Sequence, residues 1–592
     1  MRSKLALVLI LAAVAAGACK SKKSDKAGPG GGTATGTATG TGGNGEPGGN
    51  AGNGTQSATT TATGPLKAVN ECPPALKDAD KGLARTIPAG CATVVEGEYY
   101  VDGELTIEAG AKLSFKPGAA MYIGYTDASK LTVKGTADKP VTFTSGGDAV
   151  AGAWKGIHLY PKAARSQIEG LVLEYAETGL ELDAPDVAIK GTLLRANKAA
   201  AVRVSDDVPL AAFDANTIEQ PGVVALSLPP AALIGIGATN KLPAEAVIEL
   251  RGGAATTTGT WPNLGAPIRV VGEVYIEGKP SKAAITIAAG ATFRFDSGGA
   301  LYVGYGGDGE LKVAGTTDAP VSFGASGEAA PGAWEKGIIA YSKGAITLEH
   351  AVVQHGGVDG RGAVRSEGGK VAITASTFKE NKVGLSLDDA SELRGFDQNQ
   401  LVGNTEQALV LMPRHLGALG AANTYADGQV VLVHGGGVDK PATWALQPAA
   451  AVTIDGEIYV DGGAVTIPAG ATYAFADGAA LYVGYGDTGT LVVQGTTDKP
   501  VTFKGSRDEP GAWKGVELYS KAVASTLTQL HVSDAATACV RASGGAAVTI
   551  DGLVGSKCET AALTWDCSSK VKPGGVKAAA GTPKGALAPD GC

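Results

Sequence analysis

The sequence predicts an all-β protein: a solenoid of short strands with disulfide-stabilised ends, preceded by a tether without fixed structure. Three observations predict it. The first is a long internal repeat: Leu131–Trp154 (LTVKGTADKPVTFTSGGDAVAGAW) returns as Leu311–Trp334 and again as Leu491–Trp513, at separations of 180 and 179 residues. A unit written three times argues for one stack in which each unit completes its neighbour's core. The second is alternation within short runs, such as Leu105-Thr106-Ile107, Leu113-Ser114-Phe115, Val141-Thr142-Phe143 and Ile157-His158-Leu159. Each puts two apolar side chains on one face, and Gly, Pro, Asp or Asn separates the runs. The third is composition: 88 glycines in 592 residues, 5% aromatic and 18% charged, the balance of a strand-and-turn chain. A net charge of −8 and the lack of a basic face exclude nucleic acid as a partner.

Taken in order, the chain opens with Arg2 and Lys4, an apolar run Leu5–Ala16, and Ala16-Gly17-Ala18-Cys19. This is a secretory signal over 1–18, too short for a permanent membrane span. The cysteine after the small residues resembles the lipidation site of bacterial lipoproteins. That resemblance implies that Cys19 is lipidated and becomes the new N-terminus, although Ala16 stands where the family favours Leu. Lys20, Lys22, Lys23 and Lys26 would lie against anionic headgroups. The stretch 19–64 then becomes rich in Gly, Thr and Ala, a flexible linker whose roughly 38 residues after Lys26 reach on the order of 35 Å. In the lipoprotein family an aspartate after the cysteine retains the protein at the inner membrane. Lys20 therefore points to the outer membrane, facing the periplasm or the surface.

Six further cysteines, Cys72, Cys91, Cys539, Cys558, Cys567 and Cys592, cluster at the two ends of the body. In an exported chain they read as disulfides that staple the open ends of a stack. Cys72–Cys91 is the natural N-terminal pair, in a cap over 65–91 with a short helix expected at Ala75–Ala84. The four C-terminal cysteines leave three pairings open. The body divides into a first unit over 92–266, a second over 267–450, a truncated third over 451–568, and a tail or cap over 569–592.

The pattern L-x-V-x-G-T-x-x-x-P-V-x-F followed by G-A-W resembles the right-handed parallel β-helix proteins of the pectin-lyase-like superfamily, and among them β-helix lipoproteins of bacterial surfaces. The resemblance implies about 22 residues per coil, hence a rod on the order of 100 Å at ~4.8 Å per coil. Gly135, Gly315 and Gly495 read as turn or close-approach positions. Pro140, Pro320 and Pro500 stand where strands begin, and Trp154, Trp334 and Trp513 as plugs at coil corners. A landmark Phe213-Asp214-Ala215-Asn216 returns as Phe396-Asp397-Gln398-Asn399.

The recurring tyrosines are the best candidate site. Tyr122-x-Gly124-Tyr125, Tyr302-x-Gly304-Tyr305 and Tyr482-x-Gly484-Tyr485 occur once per unit. Positions three apart on a strand face opposite ways, which predicts one packed ring and one exposed ring. Tyr125, Tyr305 and Tyr485 are the candidates for stacking a sugar, against the plainer reading of structural rings at a corner. Recurring Tyr160-Pro161-Lys162, Tyr341-Ser342-Lys343 and Tyr519-Ser520-Lys521 read as aromatics beside surface lysines. Asp127, Asp308 and Asp487 read as turn residues. The segment GYGGDGELKV is similar to a calcium-binding nonapeptide but lacks its tandem period, so no metal and no cofactor is expected.

The superfamily's enzymes use an aspartate cluster with Gly-His-Gly and Arg-x-Lys, or calcium carboxylates with an arginine base, and neither pattern is present. His350 and His355 occur only in the second unit and are expected on opposite sides of a strand. Asp206-Asp207, Asp388-Asp389 and Glu174 with Glu177 read as solvated charges, so no catalytic residue is assigned. The sequence thus predicts a non-enzymatic, membrane-anchored envelope lipoprotein that presents an elongated β-helix for adhesion, scaffolding or glycan contact. Its partners are the membrane and a polysaccharide or envelope protein. The alternative is a polysaccharide lyase or glycoside hydrolase on the same fold. Exposed Tyr125, Tyr305 and Tyr485 on one face would favour binding, a carboxylate or Lys/Arg cluster converging in one groove would favour the enzyme, and neither would leave a plain spacer.

Overall fold

The structure, a computed structural model, describes residues 66–579 and 581–590. The signal 1–18, the anchor Cys19, the linker 19–64 and Cys592 lie outside the described residues. The body is a parallel β-solenoid of about 21 coils. One coil shows the plan: strands Gly156–Leu159, Gln167–Glu169 and Leu171–Glu174 form three faces, and Thr178–Leu182 returns to stack on the first. Along that face Ile157 aligns with Leu180, Leu180 with Val202, Val202 with Leu226 and Leu226 with Ile248, steps of 22 to 24 residues. The alternating side chains predicted to point inward do so, and Leu105, Ile107, Leu113, Phe115, Val141 and Phe143 are all buried.

The interior repeats as the sequence does. Trp154, Trp334 and Trp513 are buried and stack on Phe115, Phe295 and Phe475 at centroid distances of 3.9, 4.3 and 4.1 Å. Each indole N–H donates to a backbone carbonyl of the next coil: Glu174 at 2.9, Gln354 at 2.9 and Ser533 at 2.7 Å. The polar end of each tryptophan is thereby satisfied inside an apolar core. Gly135, Gly315 and Gly495 are close-approach glycines. A Cβ on them would meet a carbonyl oxygen of the neighbouring coil at 2.0, 2.3 and 2.2 Å.

The second landmark marks a ladder of buried asparagines. Asn216 Oδ1 accepts from the Thr192 amide, and Asn240 Oδ1 accepts from the Asn216 amide, each at 3.0 Å. In the second unit Asn399 and Asn423 repeat this arrangement, and Asn381, Asn404 and Gln429 form a parallel ladder. Their amide nitrogens donate to carbonyls one coil back, such as Ile189 and Ile373. These side chains satisfy backbone donors at the corners between faces, where strand pairing is interrupted.

Several expectations are corrected. Ala75–Ala84 is not helical: it forms strands Ala75–Leu76 and Ala79–Ile87. Leu76 pairs with Val95 and Ile87 with Ile107, so the next coil templates this segment and overrides its alanine-rich helix propensity. Glu174 is buried rather than solvated, held by Thr144 and Arg195, each at 2.7 Å. His350 and His355 are not on one strand. Both have positive φ and flank Ala351–Gln354 at its two ends.

Disulfides Cys72–Cys91 and Cys539–Cys558 join neighbouring coils near the two ends. Stacking continues beyond the second bridge through Leu563–Asp566 to Leu587–Asp590.

The three units do not present the same face in the same direction. The first-unit face that carries Ala120–Ile123 and Gly156–Leu159 runs on through Ile248–Leu250 and Ile268–Val270 into Thr292–Phe295. By the repeat, however, the counterpart of Ala120–Ile123 is Ala300–Val303, the next strand in the coil. That strand lies on a second face, which runs through Val430–Val433 and Ala451–Ile454 into Thr472–Phe475. The third counterpart, Ala480–Val483, is again one strand further, in a separate seven-stranded sheet. The step from one unit to the next therefore spans seven coils and one extra face, so Tyr125, Tyr305 and Tyr485 follow strands of three different faces rather than sharing one.

Candidate functional site

A four-tyrosine platform is built three times on the outside of the solenoid. It begins on a strand with acidic, aromatic and acidic residues at alternate positions: Glu98, Tyr100 and Asp102; Glu273, Tyr275 and Glu277; Glu457, Tyr459 and Asp461. Residues two apart share a strand face, so the glutamate and tyrosine project outward while Tyr99 and Val101, or their counterparts, point into the core, and the last acid lies beneath the following tyrosine loop, with Asp102 buried. The next coil adds Tyr122, Tyr302 or Tyr482, each directly in register with the first tyrosine. Gly124, Gly304 and Gly484 follow at positive φ, a conformation glycine adopts without penalty. They turn the chain so that Tyr125, Tyr305 or Tyr485 comes back over the same surface. A third coil supplies Tyr160, Tyr341 or Tyr519.

The geometry is nearly the same each time. The first two rings lie 5.0, 5.2 and 5.3 Å apart in the three copies. The third and fourth lie 5.0, 4.9 and 5.0 Å apart. This corrects the expectation of opposite faces: both tyrosines of each Tyr-x-Gly-Tyr are outside and in one cluster, because the glycine ends the strand between them. Tyr125, Tyr305 and Tyr485 are the outermost rings, at 56, 62 and 59% exposure. Their places are fixed by the coil beneath. Asp102 accepts from the Thr126 and Asp127 amides at 2.9 and 3.1 Å, Glu277 from Gly306 and Gly307, and Asp461 from Tyr485 and Gly486, each at 2.9 Å. Lys162 and Lys521 are exposed surface lysines, and they donate to the carbonyls of Thr126 and Gly486 in these loops.

A carboxylate–ammonium pair lies at the edge of every platform. Lys155 meets Glu98 at 2.9 Å, Lys336 meets Glu273 at 2.8 Å, and Lys514 meets Glu457. The same carboxylates accept from two phenols each: Tyr100 and Tyr122 at 3.0 and 3.4 Å, Tyr275 and Tyr302 at 2.8 and 3.1 Å, Tyr459 and Tyr482 at 2.5 and 3.2 Å. The lysine hydrogen bond, then the tyrosine bond, holds Glu98, Glu273 and Glu457 below the usual carboxylate range. Conversely, the hydrogen bond to the ionised carboxylate pushes Tyr100 and Tyr459 up to about 12, and burial followed by the Glu273 bond does the same for Tyr275.

The copies differ at one neighbouring position. His158 stacks on Tyr160 at 3.8 Å and bonds Asp183 at 2.7 Å. Glu517 accepts from Tyr519 at 2.6 Å, and Ile339 is buried. A shallow cleft lined by Tyr122, Lys155, His158, Tyr160 and Glu181 accompanies the first platform. Among the described residues no group of three or more His, Cys, Asp or Glu is arranged to hold a metal ion, and no helix is long and apolar enough to cross a membrane.

The sequence offered Tyr125, Tyr305 and Tyr485 as candidates, placed Tyr122, Tyr302 and Tyr482 as packed partners in the same motif, and marked Tyr160, Tyr341 and Tyr519 only as neighbours of lysine. Sequence reading missed Glu98, Glu273, Glu457 and the tyrosines two places on. The signal was present as a recurring E-x-Y-[VI]-[DE]-G in each unit.

Residues 86–178, which include the whole first platform, match the pectate-lyase-like β-helix domain family. No curated protein and no solved structure matches the chain.

Proposed function

We propose that this is a lipid-anchored protein of the bacterial cell envelope that binds neutral glycan chains on its tyrosine platforms and does not turn them over. The observation that carries the reading is the exposed ring of Tyr125, Tyr305 or Tyr485, supported from behind by three further tyrosines and an ion pair. A flat, equatorially linked pyranose offers C–H bonds to such a ring, and its hydroxyls meet phenols and a carboxylate at the edge. The paired lysine leaves each platform without net charge from its Glu, which suits a neutral rather than an acidic polymer. A glycosidase's general acid needs a raised pKa. Glu98, Glu273 and Glu457 are shifted the other way, which supports binding without hydrolysis at these positions. The anchor rests on Cys19 and its flanking sequence, and the outer membrane on Lys20.

The test is glycan-array binding by the detergent-solubilised full chain, with and without calcium. Saturable binding to neutral β-linked chains, lost in the Tyr125→Ala/Tyr305→Ala/Tyr485→Ala variant, is the expected result. Equal signals from both proteins would overturn the reading. Metabolic labelling with a fatty-acid analogue, abolished by Cys19→Ser, checks the anchor.

A further inference from the structure

We infer that the protein is a cross-linker, holding three separate glycan strands, one on each face of the solenoid. This rests on the glycan reading above and adds what the stacking dictates. A polysaccharide lying straight along one face of a β-solenoid would engage all platforms only if they were in line.

They are not in line. The face bearing Tyr122 and Tyr160 passes through Ile248–Leu250 and Ile268–Val270 to Thr292–Phe295. It therefore reaches the second unit one face before Tyr302. The face bearing Tyr302 and Tyr341 passes through Val430–Val433 and Ala451–Ile454 to Thr472–Phe475, one face before Tyr482. Tyr482 belongs to a separate seven-stranded sheet, and Tyr519 directly follows that sheet's next strand, Val516–Leu518. A coil with three faces thus carries the three platforms in three directions. Successive platforms are also separated by seven coils and a third, roughly 35 Å along the stack at about 4.8 Å per coil.

The offset is built into both junctions in the same way. The equivalent short segments Pro230–Leu233 and Pro413–Ala418 follow a strand of the first face in the first unit and a strand of the second face in the second, the same one-face step. The third direction is reached only with the third unit, so three copies are the number that fills all faces once. For a single stiff chain this geometry forfeits the gain from linked sites, because one chain cannot touch all three. For a mesh it is productive, since each protein joins strands that approach from different sides.

The probes are cellohexaose and its soluble polymeric derivative hydroxyethyl cellulose, with the detergent-solubilised full chain. Equilibrium dialysis is expected to give three cellohexaose molecules per chain, falling to two in each of Tyr125→Ala, Tyr305→Ala and Tyr485→Ala. With the polymer, the wild-type chain is expected to raise viscosity and then precipitate it near equivalence. The Tyr305→Ala/Tyr485→Ala variant should bind the polymer without cross-linking it. One cellohexaose per chain, or a double variant that cross-links as well as wild type, would overturn the inference and leave the glycan reading standing. No bound cellohexaose would overturn that reading, and the cross-linking with it. Unchanged thermal unfolding of these surface variants confirms that losses reflect the site.

Discussion

Two aromatic systems repeat in this chain with the same period, one inside and one outside, and they teach different things. Inside, Trp154, Trp334 and Trp513 lie flat on phenylalanines, with each indole N–H bonded to a carbonyl. Nothing of them reaches solvent. Outside, four tyrosines per unit gather around an ion-paired glutamate, and the outermost ring, Tyr125, Tyr305 or Tyr485, is more than half exposed. Both recur with equal fidelity, so recurrence does not distinguish packing from recognition. What distinguishes them is whether the ring's face has a partner within the fold.

Truncation would draw the line most sharply. Trp334→Ala should lower stability by about 3–5 kcal/mol through a cavity beside Phe295, read as a drop in the denaturant midpoint. Tyr305→Ala should stay within about 0.5 kcal/mol of wild type while removing one glycan site. A large stability loss from Tyr305→Ala would make the outer platform structural, and the comparison would collapse.

The asparagine ladder offers an interior polar contrast. Asn404→Ala leaves the Asn381 amide and the Phe378 carbonyl without their partners in a buried corner. A loss of about 1–3 kcal/mol is expected in the same unfolding experiment. On the outside, Glu457→Gln keeps the shape but removes the charge that Tyr459 and Lys514 share. Tyr459, pushed up to about 12 chiefly by its bond to Glu457, should then titrate closer to the ordinary value of about 10, as ultraviolet difference spectra would register. The sign follows from linkage. A phenol whose pKa is higher folded than unfolded contributes stability fully below pH ~10, and that contribution is lost as pH rises through about 12.

The smallest effect concerns acid. Glu98, Glu273 and Glu457 have depressed values in the folded chain. Their contribution is present above the unfolded carboxylate pKa, near 4.3, and is lost as pH falls through the lower folded value. The melting difference between wild type and a triple Glu→Gln variant should shrink between pH 6 and pH 3. A difference independent of pH would mean that the ion pairs are not the groups that matter.

Much of this was legible in the sequence, and the rest was hidden for identifiable reasons. The solenoid, the strand positions and the Cys72–Cys91 bridge followed from alternation, the repeat and cysteine placement. The close-approach role of Gly135 followed from the missing side chain, since only a neighbour's carbonyl needed to be inferred. The platform was half visible. Tyr125 and its counterparts stood out as a tyrosine motif, whereas Glu98 and Tyr100 belong to the preceding coil. They join the site only through lateral register, which spacing along one strand does not reveal. The rotation between units was invisible, because a period of 180 residues does not state how many coils it contains. The strands at Ala75–Ala84 were misread because local propensity was weighed without the coil that templates them.

If Tyr125, Tyr305 and Tyr485 are ligand-facing rings rather than corner fillings, a bound sugar must cover them. Nitration by tetranitromethane, mapped by peptide mass spectrometry with and without saturating cellohexaose, tests it most directly. These three tyrosines should react readily in the free protein and be protected by the sugar, while buried Tyr473 stays unmodified in both states. Nitration of the three at the same rate with and without the sugar would contradict the account.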